Sequence, residues 1–97
     1  MALRELPHNI EAEESVLGAC FLSTNALNIA IENLSDNSFF DKRHSLIFSA
    51  LRRLCDQKIP IDLTTITTGL TKENVLQEAG GVNYLSEIIQ FVPTAAN

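Results

Sequence analysis

Ninety-seven residues, 45% of them hydrophobic and 20% charged, suffice for one domain with a real core and are too few for a two-domain enzyme. The formal charge of −5 is unevenly spread: residues 1–41 net −6, residues 42–58 net +4 and the rest −3. An acidic whole argues against nonspecific binding to a phosphate backbone, which draws on several clustered cations. No run approaches the roughly 20 apolar residues that cross a bilayer, and Met1 to Pro7 lacks a signal peptide's basic start and apolar middle, so a cytoplasmic protein without membrane contact is expected. Cys20 and Cys55 are too few and too far apart for a zinc site and read as buried thiols.

In chain order, Asn9 is a candidate N-cap for a helix to Leu22 that places Ile10, Val16, Leu17, Cys20 and Phe21 near one face. Glu11, Glu13 and Glu14 read as a solvated first turn favoured by the helix dipole. Ser23 and Thr24 cap a second helix from about Asn25 to Leu34, with Leu27, Ala30, Ile31 and Leu34 in register. A polar turn over Ser35 to Ser38 follows, then Phe39 and Phe40 as an aromatic plug closing the core. A third helix from about Lys42 to Gln57 turns Ile47, Phe48, Leu51, Leu54 and Cys55 inward and Arg52 and Arg53 outward.

Pro60 ends helical geometry around Ile59, and Asp62 starts a fourth helix with Leu63, Ile66 and Leu70 inward. The four threonines Thr64, Thr65, Thr67 and Thr68 lie on its wetter face, with a strand as the minority reading of this β-branched run. Lys72 to Asn74 reads as a turn and Val75 to Ala79 as a short helical segment ended by Gly80-Gly81. A last helix, about Val82 to Gln90, has Val82, Leu85, Ile88 and Ile89 facing the core and Tyr84 partly exposed. Pro93 and Thr94 resemble the start of one more helix. The domain reading from the residues is thus an arm over 1–8, a helical head over 9–92 and the start of a further helix over 93–97.

No catalytic constellation emerges. There is no G-x-x-x-x-G-K-[ST] or G-x-G-x-x-G loop for a nucleotide, the two histidines are 36 positions apart without metal-ligand spacing, and no Ser, His and Asp set stands out. Catalytic, cofactor and metal sites are therefore expected to be none in this chain. His8 reads as a helix-entry residue and His44 as a hydrogen-bonding histidine, partly buried. Lys42, Arg43, Arg52 and Arg53 are the candidate contact residues. A solvated helix face is their plainest reading, an acidic protein partner the next, and DNA the third.

Five segments in order carry a family resemblance: Leu6-Pro7-His8-Asn9-Ile10-Glu11-Ala12-Glu13-Glu14-Ser15-Val16-Leu17-Gly18; Asp36-Asn37-Ser38-Phe39-Phe40 with His44 and Ile47-Phe48; Pro60-Ile61-Asp62-Leu63; Gly80-Gly81 with Tyr84-Leu85; and Pro93-Thr94-Ala95-Ala96-Asn97. Together they resemble the N-terminal domain of DnaB-type bacterial replicative DNA helicases over nearly the whole chain. The departures are Glu14, where that family usually has glutamine, and Phe40, where it often has tyrosine. The resemblance implies an all-α fold, a compact orthogonal bundle of about five to six helices, followed in the whole protein by a helical hairpin, a linker and a motor domain that would bind ATP and magnesium. It implies that 93–97 is the start of a truncated helical hairpin or linker.

It also implies a noncatalytic collar domain that supports ring assembly of a hexamer and helps dock primase or a helicase loader during DNA replication. The head alone is expected as a monomer or weak dimer, with DNA reached through the full-length 5′–3′ helicase. Ile59, Ile61, Phe91 and Val92 are apolar residues available for partner contact or for the core. The alternative is a stand-alone helical module that binds nucleic acid or protein.

Overall fold

The helices begin where a short polar side chain takes an otherwise orphan backbone N–H. In the computed structural model, which describes residues 9–91, Asn9 accepts from Ala12 N at 2.9 Å and starts α1 (Ile10–Leu22). Ser23 accepts from Ala26 N and starts α2 (Thr24–Asn33). A 3₁₀ turn over Asp36–Ser38 leads to α3 (Lys42–Asp56), capped by Asp41. Asp62 starts α4 (Leu63–Lys72), accepting from Thr65 N at 2.8 Å while the Thr65 hydroxyl accepts from Asp62 N at 3.0 Å. This reciprocal capping box fixes the threonine run as a helix, so the strand alternative for it fails.

Three successive stretches end in the same way. The N–H of Ile59, Val75 and Gly81 reaches back to Leu54, Leu70 and Leu76 O, and the residue before each adopts positive φ: Lys58 at 60°, Asn74 at 61° and Gly80 at 107°. That is the Schellman pattern, in which a left-handed residue satisfies the last carbonyls. Val75 to Ala79 is accordingly one hydrogen-bonded turn rather than the helical segment expected, because Gly80 ends it before a second turn forms. Gly80 then leads straight into α5 (Gly81–Gln90) without a side-chain cap.

The five helices close on α3, whose Ile47, Phe48 and Leu51 are fully buried. Leu17 of α1, Leu27 of α2, Ile66 and Leu70 of α4, and Leu85 and Ile88 of α5 complete the core. Burying each such side chain contributes roughly 1.5–3 kcal/mol. α1 lies close against α5 because Gly18 has no side chain: a Cβ there would sit 3.1 Å from both Ile88 O and Phe91 O. Among the described residues no helix is long and apolar enough to cross a membrane.

Two core assignments need correction. Phe39 is buried, at 8% exposure, but Phe40 is 61% exposed. Consecutive residues entering a helix cannot share one face, and Phe39 takes the place against Phe48, with ring centroids 5.2 Å apart. Val82 is 43% exposed, because α5 buries its Leu85 and Ile88 stripe and Val82 falls on the flank. His8, Val92 and the segment Pro93 to Asn97 lie outside the described residues.

Candidate functional site

At the N-terminal end of α3, side chains from α1 and α5 converge on one buried residue of α3. His44 has no solvent exposure, and its ring nitrogens face Glu13 Oε1 at 2.7 Å and the Tyr84 hydroxyl at 2.5 Å. Tyr84 donates its only hydroxyl proton to Glu14 Oε2 at 2.9 Å, leaving its oxygen to accept from His44 Nε2. The carboxylate of Glu13 also accepts from Phe40 N at 2.7 Å and Asp41 N at 3.3 Å, so α1 holds the entry to α3. Both ring nitrogens of His44 thus have a hydrogen-bond partner inside the protein.

Electrostatics follow the geometry. Burial pushes the Glu13 carboxyl up, but the hydrogen bonds from His44 and from the Phe40 and Asp41 N–H groups outweigh it and hold the group below its ordinary 4.5. Burial, then the hydrogen bond to Glu14, raises Tyr84 far above the usual phenol range. Arg43 stacks 4.0 Å over the Tyr84 ring and pairs with Asp41 at 2.7 Å. That hydrogen bond lowers Asp41 and raises Arg43. The cluster holds no nucleophile poised against a base; it works as a latch that ties α1, α3 and α5 together.

Glu13 and Glu14 are therefore not a solvated first turn. The reading of His44 as a hydrogen-bonding histidine agrees with the structure, although it is fully rather than partly buried. Its partners lie 31 and 40 positions away, beyond the reach of local periodicity. One signal was available: a histidine on an inward face needs acceptors, and the acidic run of α1 is the richest source.

The four candidate cations of α3 do not share a surface. Arg43 and Arg52 are nine residues apart, two and a half turns, and so project to opposite sides of the helix. Arg43 belongs to the latch, and Arg52 pairs with Asp36 at 2.9 Å. Lys42 is exposed. Arg53 donates to Ser49 Oγ at 2.9 Å and lines a cleft of about 230 Å³ between α3 and α4, with Lys72 opposite. Lys72 had no place among the sequence candidates, because only the packing of α4 brings it near Arg53.

Of the apolar candidates, Ile59 borders this cleft, Ile61 packs against the core, and Phe91 is half-buried where α1 meets α5. Burial pushes the Cys20 thiol up to about 11, as befits an unreactive core cysteine. Nucleotide phosphates do not fit the one Gly-Gly turn, since the Gly80 and Gly81 N–H groups are already given to Gln77 O and Leu76 O.

The family model for the DnaB-like helicase N terminal domain matches residues 5–97. The chain belongs to this family. It is 46% identical over 91 residues to the replicative DNA helicase DnaC of Bacillus subtilis and 48% identical over 91 residues to the replicative DNA helicase DnaB of Geobacillus stearothermophilus. Each match covers 94% of this chain and 20% of the helicase, so the chain spans about a fifth of those relatives' length. The crystal structure of the N-terminal domain of DnaB helicase from Mycobacterium tuberculosis superimposes with a TM-score of 0.86 at 34% identity, covering 96% of this chain and 67% of that one. The all-α fold of a DnaB-like N-terminal domain is thereby established. Within it, three of the five family segments meet at His44: Glu13 and Glu14 from the first, Phe39, Phe40 and His44 from the second, and Tyr84 from the fourth.

Proposed function

We propose that this domain is the noncatalytic collar part of a hexameric replicative DNA helicase, supporting ring assembly and docking primase or a loader. ATP hydrolysis and DNA unwinding would belong to a motor elsewhere in the protein. The observation that carries the reading is the match of nearly the whole chain to the N-terminal domain of replicative helicases. A rigid body suits such a role: polar groups at the latch are turned inward to fix helix positions, which leaves the outer helix faces for contacts between proteins.

Light scattering tests it. A polypeptide extended C-terminally to the length of the Mycobacterium tuberculosis domain should self-associate, while the 97-residue chain stays a monomer or weak dimer. If the extended form remains monomeric at high concentration, the assembly role fails. Hydrolysis of ATP by the purified 97-residue chain would overturn the noncatalytic part.

A further inference from the structure

The cleft between α3 and α4 differs from the latch in having cations that, among the described residues, no ion pair includes. Its α3 wall is the row Ala50, Arg53, Leu54 and Gln57, and its α4 wall includes Thr68 and Lys72, spacings that line up on single helix faces. Ile59, folded back by the Schellman turn, adds to an apolar floor with Ala50 and Leu54. Gly69 leaves the α4 side open, since a Cβ there would meet nothing within 4 Å.

Among the described residues the ion pairs are Arg43–Asp41, His44–Glu13 and Arg52–Asp36, and none includes Arg53 or Lys72. Glu73 also stands at the rim, which leaves it one positive charge in excess. Cations near helix C-termini are favoured by the dipole alone. That accounts for two basic residues, but not for the apolar hollow between them.

We propose that this cleft is a docking site for an acidic segment of a partner polypeptide, which seats one aliphatic side chain on Ala50, Leu54 and Ile59 and places a carboxylate on Arg53 and Lys72. At about 230 Å³ the cleft lies below the roughly 300–1,000 Å³ of small-molecule pockets but holds a single anchoring side chain. Nucleic acid fits less well, because the cleft presents no aromatic ring for base stacking and only one net charge for phosphates. In an acidic chain this basic rim selects for partners opposite in sign to itself. The proposal deepens the docking role above and rests on it for the existence of a partner. Its test needs no ring, so the two can fail separately.

The test is a titration of the ¹⁵N-labelled 97-residue chain, followed by NMR, with the blocked hexapeptide Asp-Glu-Leu-Asp-Glu-Leu, its neutral counterpart Asn-Gln-Leu-Asn-Gln-Leu, and a thymidine dodecamer. The acidic peptide should produce saturable shifts at the Thr68, Gly69 and Lys72 amides, with Kd in the range of about 0.1–1 mM. The neutral peptide should bind about fivefold more weakly or less well still, the size of one exposed ion pair. Arg53→Gln and Lys72→Gln should each weaken binding by a similar factor, and Gly69→Leu should fill the cleft and abolish it. If Gly69→Leu does not fold, the two charge-removing variants decide the outcome. Absence of shifts at these amides at millimolar peptide, equal binding of the neutral peptide, or indifference to Arg53→Gln and Lys72→Gln overturns the proposal. Stronger shifts of the same amides by the dodecamer overturn it in favour of a nucleic-acid groove.

Discussion

The two ends of α3 carry similar charge and use it in opposite ways. At the N-terminal end His44 and Arg43 meet Glu13, Asp41 and Tyr84 within 2.5–4.0 Å, and of the three basic residues there only Lys42 is exposed. At the C-terminal end Arg52 pairs with Asp36, but Arg53 is in no ion pair among the described residues: it bonds the neutral Ser49 hydroxyl and shares an open cleft with Lys72. A basic stretch in a sequence therefore says little about binding until each cation has been followed to its partner. Buried, answered charges should govern stability and half-open ones should govern recognition, and the two ends can be separated by substitution.

The largest effect should come from Glu13→Ala. It leaves the His44 proton and the Phe40 and Asp41 N–H groups without their acceptor, and removing one member of a buried, hydrogen-bonded pair costs about 3 kcal/mol or more. Urea unfolding at neutral pH measures it, and a loss under about 1 kcal/mol would mean the latch is incidental. The same group sets an acid limit. Because the Glu13 carboxyl is held below 4.5 and that of Asp41 below 3.8 in the folded state, their contributions are present above those values and fade as pH falls through the folded-state values. Stability should thus decline on acidification below about pH 4.5, and Glu13→Gln should flatten that decline while lowering the plateau.

Tyr84→Phe should rank next. The ring and its stacking on His44 and Arg43 remain, while His44 Nε2 loses its acceptor, at a cost of about 1–3 kcal/mol. The role of Tyr84 was not legible in its own surroundings, where it reads only as a partly exposed residue on an amphipathic helix; its bonds span 40 and 70 positions. What was legible is what short-range physics decides. Asn9, Ser23 and Asp62 announce helix starts, Gly80 announces a stop, and the Ile47, Phe48 and Leu51 stripe marks the buried face of α3. Where two neighbours compete for one core position, as Phe39 and Phe40 do, or where a flank residue such as Val82 sits at the edge of a stripe, only the packing of other helices chooses. The cleft belongs to the same class, since Arg53 and Lys72 are 19 positions apart and come together only through the α3–α4 crossing. The family was readable for a different reason: the ordered segments are long enough to be recognised without knowing that they converge on His44.

The smallest effect is the most diagnostic of the contrast. Arg43→Ala removes an ion pair, a stacked guanidinium and the hydrogen bond that holds Asp41 down; with Arg43 about 39% exposed, solvent screening limits the loss to about 1 kcal/mol. Arg53→Ala removes a single bond to Ser49 and should change stability by no more than about 0.5 kcal/mol. Both substitutions delete one positive charge from the same helix, so a difference between them cannot come from net charge. Equal losses in thermal or urea unfolding would mean that the fold depends on Arg53 no less than on Arg43. In that case the cleft would lose its claim to a cation held in reserve for a partner.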